Sequence, residues 1–158
     1  MVIKNKAMRF RTYTPQDKQA VIDILLSNCP KYFIESDEAD LVDFLDNYAD
    51  ENYLVAEENG QVIGCGGHYT KGQTHGIAWV MFRHGSIGHC HLLSTADRFY
   101  QEMESRIRAE GHLYDIHIST TQLMEKLFNR YGFITVSIAE NGFGEGLHQY
   151  DMVKSFTR

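Results

Sequence analysis

Apolar residues recur along this chain at two spacings, and the changes between them mark its elements. From Met8 the run MRFRTY suits a first strand. Thr14-Pro15 then supplies a helix N-cap followed by proline at the first helical position, where its missing N–H costs nothing. Ala20, Val21, Ile24 and Leu25 repeat at helical spacing and predict a buried stripe. A second helix is expected to be capped by Ser36 and to carry Leu41, Phe44, Leu45 and Tyr48 on one face, with an acidic opposite face. Residues 53–57 and 61–69 flank Glu58-Asn59-Gly60, so an Asn-Gly turn joins two strands as a hairpin. Gly64, Gly66 and Gly67 interrupt the second arm and predict a bulge or a close backbone approach.

Residues 74–82 read as a further strand, apolar throughout from Ile77 and so expected to be buried on both faces. The passage FRHGSIGHCHLL then runs through a glycine-containing turn into a long helix. Leu92, Leu93, Ala96, Phe99, Tyr100, Met103 and Ile107 recur there at intervals of three and four. In residues 113–119, Ile116 and Ile118 alternate with Asp115 and His117, as in a strand. A short helix from about Thr121 stops at Gly132. Ile134, Val136 and Ile138 alternate, a glycine-rich loop turns the chain, and residues 149–154 close the sheet. The order is β-α-α-β-β-β-α-β-α-β-β, which fits an α/β (α+β) chain with a mixed sheet and helices on both faces.

Length adds that residues 1–158 form one domain, with polar residues 1–7 expected to fray. A hydrophobic content of 43% supports a core without disulfide or metal, and no apolar run reaches the length of a membrane span. Cys29, Cys65 and Cys90 are an odd number without repeated spacing. They read as reduced thiols, and with no secretory signal in MVIKNKAMRF a cytoplasmic location is expected. A net charge of −6 argues against nucleic-acid partners, so any bound anion needs a local site.

The passage after Phe82 offers such a site. The first turn of a helix leaves N–H groups without partners, and small residues before it let an anion approach the backbone. Gly85, Ser86 and Gly88 precede the long helix, and Arg83 adds charge. Neither G-x-G-x-x-G nor G-x-x-x-x-G-K-[ST] is present. His84, His89, Cys90 and His91 lack the spacing of a zinc site, and no metal is expected.

The order of elements and two motifs resemble the GNAT family of acetyl-coenzyme A dependent N-acetyltransferases over residues 8–156. The family's pyrophosphate motif, Q/R-x-x-G-x-G/A, matches Arg83-His84-Gly85-Ser86-Ile87-Gly88, with Ser86 replacing the first glycine. Leu127-Phe128-Asn129-Arg130-Tyr131-Gly132-Phe133 is similar to F-Y-x-x-x-G-F. Gly64-Cys65-Gly66-Gly67 and residues 142–152 are similar to stretches in a poorly characterised bacterial branch.

The resemblance implies a mostly antiparallel sheet of about seven strands and acetyl-CoA as cosubstrate. It implies direct acetyl transfer to a small-molecule or peptide amine, with no nucleic acid, no membrane and a possible homodimer. Cofactor contacts are implied at Met81, Phe82, Arg83, His84, Gly85, Ser86, Ile87, Gly88, His89, Thr121 and Phe128. Phe128 stands where the family's general-acid tyrosine does and Thr121 where it often has asparagine, leaving Tyr131, water or unaided departure for the thiolate. Phe128 and Ser86, as departures from the family's motifs, also suggest an alternative, a catalytically inactive CoA-binding sensor or interaction module. His75 and His68 are the candidate bases, on strands expected to border the cleft. Tyr32, Phe33 and Glu35 fall where the family covers its acceptor.

Overall fold

The computed structural model describes residues 8–85 and 89–156, with only the backbone of residues 89 and 90. Strands β1 (Arg9–Thr12), β2 (Tyr53–Glu58), β3 (Gln61–Lys71), β4 (Thr74–Phe82), β5 (Ile116–Thr121), β6 (Ile134–Gly144) and β7 (Leu147–Lys154) form one seven-stranded sheet in the order β1-β2-β3-β4-β5-β7-β6. Every neighbouring pair is antiparallel except β4 and β5. Helices α1 (Lys18–Ser27) and α2 (Asp37–Asn47) cover one face, and α3 (His89–Ala109) and α4 (Glu125–Arg130) the other. Among the described residues no helix is long and apolar enough to cross a membrane.

Two apolar layers follow from this arrangement. Val21, Ile24, Leu25, Leu41 and Leu45 pack on Tyr53, Val55, Cys65 and Met81 on one side of the sheet. On the other, Phe99, Met103, Ile107 and Phe128 pack on Leu54, Ile77, Ile116, Ile118 and Met152. Asn59 and Gly60 both have positive φ, 52° and 80°, as a primed hairpin turn requires, so the predicted β2–β3 hairpin forms.

Three local expectations change. Ser36 has helical backbone angles and makes no side-chain cap. Asp37 Oδ2 instead accepts from the Ile34 N–H at 3.0 Å. Tyr48 caps the end of α2 and is 69% exposed rather than buried with Leu41 and Leu45. Residues 78–80 and 82 of β4 are only half-buried, because a cavity replaces part of the cover expected over this strand.

Thr14 and Pro15 start a one-turn 3-10 helix leading into α1, as their sequence predicts. Asp17 fastens this corner: its Oδ2 accepts from the Thr14 N–H at 2.9 Å, and its two oxygens accept from Arg11 at 2.8 and 2.9 Å. The Arg11 guanidinium, then the Thr14 N–H, outweigh burial and hold the Asp17 carboxyl below its ordinary value. A carboxyl depressed in the folded state stabilises above its unfolded pKa, near 3.9, and loses that contribution as pH falls through the folded value. Asp17→Asn is therefore expected to cost about 1–3 kcal/mol at pH 7. Urea denaturation across pH should show the gap to the parent protein closing below about pH 4.

Candidate active site

Strands β4 and β5 share only two rungs, His75 with Ile116 and Gly76 with His117. Beyond them the parallel strands part, and a cavity of about 1100 Å³ occupies the gap. Its walls come from both faces of the sheet. Tyr32 and Phe33 of the α1–α2 connection and Asp37 at the start of α2 close one side; Leu92, Leu93, Phe99 and Tyr100 of α3 close the other. Leu92 and Leu93, 42% and 47% exposed, thus face the cavity wall rather than a filled core.

A bulge shapes the β4 wall. Cys65 pairs with Met81 and Gly67 with Ala78, so Gly66 alone opposes Trp79 and Val80. A side chain at Gly66 would meet Val80 Cγ2 at 2.9 Å and Phe99 Cε1 at 3.0 Å, which explains a glycine there. Trp79 takes φ +49°, a costly conformation for a bulky residue. Its carbonyl is held by the Tyr53 hydroxyl, donating at 3.0 Å, and its indole stacks on Phe33 at 6.1 Å and 26°. The Cys65 thiol beneath is pushed up to about 12 by burial, so it offers no nucleophile.

The exit of β4 is tied to α1. Asn28 Nδ2 donates to the Phe82 carbonyl at 2.8 Å, the Arg83 N–H to the Ile63 carbonyl at 2.7 Å, and the His84 N–H to Ser27 Oγ at 3.1 Å. Gly85 has φ +77° and nothing within 4 Å of a would-be Cβ, so its conformation, not its space, requires glycine. Met81, Phe82, Arg83, His84 and Gly85 all line the cavity, as do Thr121 and Phe128. Ser86, Ile87 and Gly88 lie outside the described residues, as does the His89 side chain, while α3 begins at His89.

Thr121 Oγ1 caps a one-turn 3-10 helix by accepting from the Leu123 N–H at 3.3 Å. Phe128 is buried edge-on against Tyr131 and Phe133. Tyr131 stacks on Tyr100 at 4.3 Å and donates its hydroxyl to Asp97 Oδ1 at 2.9 Å. Burial and the Asp97 carboxylate hold that hydroxyl protonated, well above the ordinary tyrosine value, which makes it a weak acid for a departing thiolate.

His68 and His75 do not reach the cavity. They are 3% and 0% exposed and are turned toward the segment that follows α3, His75 on the first β4–β5 rung with Ile116 and His68 opposite Ile77 of β4. His75 Nε2 donates to the His112 carbonyl at 2.7 Å, and its Nδ1 meets Thr70 Oγ1 at 2.8 Å. His68 Nε2 meets Glu110 Oε1 at 3.2 Å, and Thr70 Oγ1 donates to Glu110 Oε2 at 3.1 Å. Burial pushes the Glu110 carboxyl up, but bonds from His68 and Thr70 and the two imidazoles bring it below its ordinary value. The strands border the cleft as expected; these two side chains take the other end of the same sheet face.

The imidazole in the cavity wall of β5 is His117, which the sequence reading passed over. It stands at the last rung before the strands part, opposite Gly76, and its side chain is exposed. The next residue of the same parity on β5, Ser119, pairs with Asp151 of β7 and donates to it at 2.6 Å. Its signal was present: it alternates with Ile116 and Ile118, so it must leave the α3 layer. Among the described residues no three His, Cys, Asp or Glu side chains come together to hold a metal.

The same architecture occurs in solved acetyltransferases. Ard1 from Thermoplasma volcanium superposes with a TM-score of 0.74 at 16% identity, covering 94% of this chain and 97% of that one. The PaiA N-acetyltransferase from Thermoplasma acidophilum, in complex with coenzyme A, gives 0.68 at 13% identity, covering 95% and 99%. An acetyltransferase of the GNAT family from Streptococcus pneumoniae gives 0.70 at 16% identity, covering 94% and 99%. No family model matches the sequence, and no curated protein matches it. The chain has the GNAT fold: a mostly antiparallel seven-stranded sheet between two helical layers, opened between β4 and β5.

Proposed function

We propose that this protein is an acetyl-CoA-dependent N-acetyltransferase that passes an acetyl group directly to an amine. The observation carrying this reading is the cavity between β4 and β5, walled from both faces of the sheet, so that two substrates can meet inside it from opposite sides. The fold shared with acetyltransferases, one of them in complex with coenzyme A, supports the same reading.

Acetyl-CoA is assigned to the mouth beside Arg83, His84 and Gly85, where the Arg83 guanidinium stands next to an open, left-handed glycine turn before α3. Leu92, Leu93 and Phe128 offer an apolar wall to its pantetheine arm, and the β4 edge beyond Gly76, unmatched by β5, offers peptide groups. The thioester supplies an already activated acetyl group. The chain's own task is to position the amine and accept its proton while the new C–N bond forms and the C–S bond breaks. His117, on the β5 wall, is assigned the proton. The departing thiolate, with a thiol pKa near 8.5, leaves without an acid of its own or takes a proton from water.

Saturating acetyl-CoA, at about 100 times its Kd, should raise the melting temperature by about 5–10 °C. A thiol assay should then show free CoA released in step with an acceptor amine. Absence of any shift would overturn the reading. The missing hydroxyl at Phe128 favours one second reading, a CoA-binding module without turnover. That reading requires the shift but no thiol release with any amine.

A further inference from the structure

The acceptor end of the cavity is built from rings. Tyr32 and Phe33 from the α1–α2 connection, Trp79 from the bulge, Tyr69 from β3 and Phe143 from β6 all line it. Two of these rings are placed at a cost or by a special provision. Trp79 is held in a left-handed conformation by the Tyr53 hydroxyl, and the strain presents its indole beside Phe33. Tyr69 lies across Gly76, where a Cβ would sit 2.2 Å from its Cζ. Only a glycine at 76 lets that ring lie over the strand, on the rung that Gly76 shares with His117. Tyr69 nevertheless remains 47% exposed, a large ring without a covering partner.

Charge narrows the occupant further. Asp37 is the one carboxylate among the described wall residues, and its Oδ2 is already engaged by the Ile34 N–H. Lys31, with its ammonium 5.2 Å from the Tyr32 ring centre, and Arg83 also line the cavity. A polyamine would need several carboxylates and would meet two cations instead. A sugar amine would need a hydrogen-bond partner for each hydroxyl, which ring walls do not give.

We propose that the acceptor is a small arylalkylamine, its ring held against the Phe33–Trp79 stack and Tyr69 and its amine directed into the gap between β4 and β5 beside His117. This rests on the acetyltransferase reading of the cavity. An aromatic ring gains from such walls both by area and by edge or offset stacking, and an ammonium gains from the nearby ring faces. Trp79 and Phe33 thereby set specificity, and the bulge that carries Trp79 aligns the bound amine with the strand edge.

Trp79 is the only tryptophan in the sequence, so intrinsic fluorescence reports on this wall alone. The protein, with and without saturating CoA, is titrated with 2-phenylethylamine, spermidine, glucosamine and L-phenylalanine while Trp79 emission is followed. The expected result is a saturable change with 2-phenylethylamine at a Kd at least about tenfold below the other three. Phe33→Ala and Tyr69→Ala should each raise that Kd about five- to tenfold. Because the Tyr69 ring is half in solvent, Tyr69→Ala keeps the test valid if Phe33→Ala fails to fold. No saturable change, or tighter binding of spermidine, glucosamine or phenylalanine, overturns the proposal. The thermal shift with acetyl-CoA separates the two claims. Stabilisation without arylalkylamine binding overturns the acceptor and leaves the cofactor reading standing. Arylalkylamine binding without stabilisation supports the ring-lined pocket and overturns acetyl transfer there.

Discussion

Replacing His117 by alanine is expected to lower kcat/KM for acetyl transfer about 100-fold at neutral pH, the usual worth of a positioned proton acceptor. Its imidazole lines the gap at the point where β4 and β5 part, and neither His68 nor His75 reaches that space. An alkyl ammonium is only roughly 0.04% neutral at pH 7, so without an acceptor in the cavity the reactive amine becomes scarce. The loss should shrink as pH rises. The rate of the alanine variant should keep climbing until the substrate amine itself deprotonates, and the gap to the parent protein should close there. His117→Gln, which keeps a polar group but takes no proton, should behave like alanine. Because the side chain is exposed, stability should stay within about 0.5 kcal/mol. A loss below threefold with an unchanged pH profile would remove His117 from the mechanism.

The largest effect on stability is expected at Gly67. A Cβ there would stand 2.3 Å from the Asn52 carbonyl oxygen and 2.6 Å from Tyr53 Cα, both backbone atoms. Neither can step aside cheaply, since the Tyr53 carbonyl accepts from the Tyr13 N–H at 2.8 Å and the Tyr53 hydroxyl holds the Trp79 carbonyl. Gly67→Ala should therefore cost about 3 kcal/mol, the upper end of the overpacking range, and lower the melting temperature by roughly 6–12 °C. Gly72→Ala is the contrasting control. Gly67 is not among the left-handed glycines, whereas Gly72 has φ +61° with nothing within 4 Å, so its alanine variant meets only a backbone penalty of about 1–2 kcal/mol. A loss at Gly67 below about 1 kcal/mol in urea denaturation would show that close approach between β2 and β3 is not what requires glycine there.

Parts of this architecture were legible because their causes are local. The Asn59-Gly60 hairpin, Pro15 after Thr14 and the three- and four-residue spacing in α3 each depend on residues adjacent in the chain. Gly64, Gly66 and Gly67 announced close contact, though not its form: Gly66 opposes the bulge, while Gly67 meets the backbone of β2. Ser36 misled because a capping side chain predicts a helix start without specifying which residue supplies the bond; Asp37 supplies it. Leu92 and Leu93 keep helical spacing with the α3 core residues yet face a cavity, since periodicity assigns a face but does not say whether that face is filled.

The candidate site shows the same division. The end of the cavity proposed for acetyl-CoA contains Arg83 and Gly85, which the sequence offered as a strand-turn-helix signal contained in a few residues. The choice among histidines was not. His68, His75 and His117 all lie on neighbouring strands, and alternation alone permits each of them a place beside the cleft. Position along β4 excludes His75, since the cavity begins only past the Gly76–His117 rung; His68, opposite Ile77, is instead drawn away by its bond to Glu110.

The order of strands and helices, the hairpin, the glycine positions and the outward parity of His117 were thus already written in the chain, since each follows from the 2.0- and 3.6-residue periods and from backbone preferences of single residues. The depth of the gap between β4 and β5, the left-handed Trp79 and the exclusion of His68 and His75 were decided by tertiary structure alone. Those depend on a parallel register between strands more than thirty residues apart and on which helix covers each face, and no local pattern encodes the length over which two distant strands remain paired.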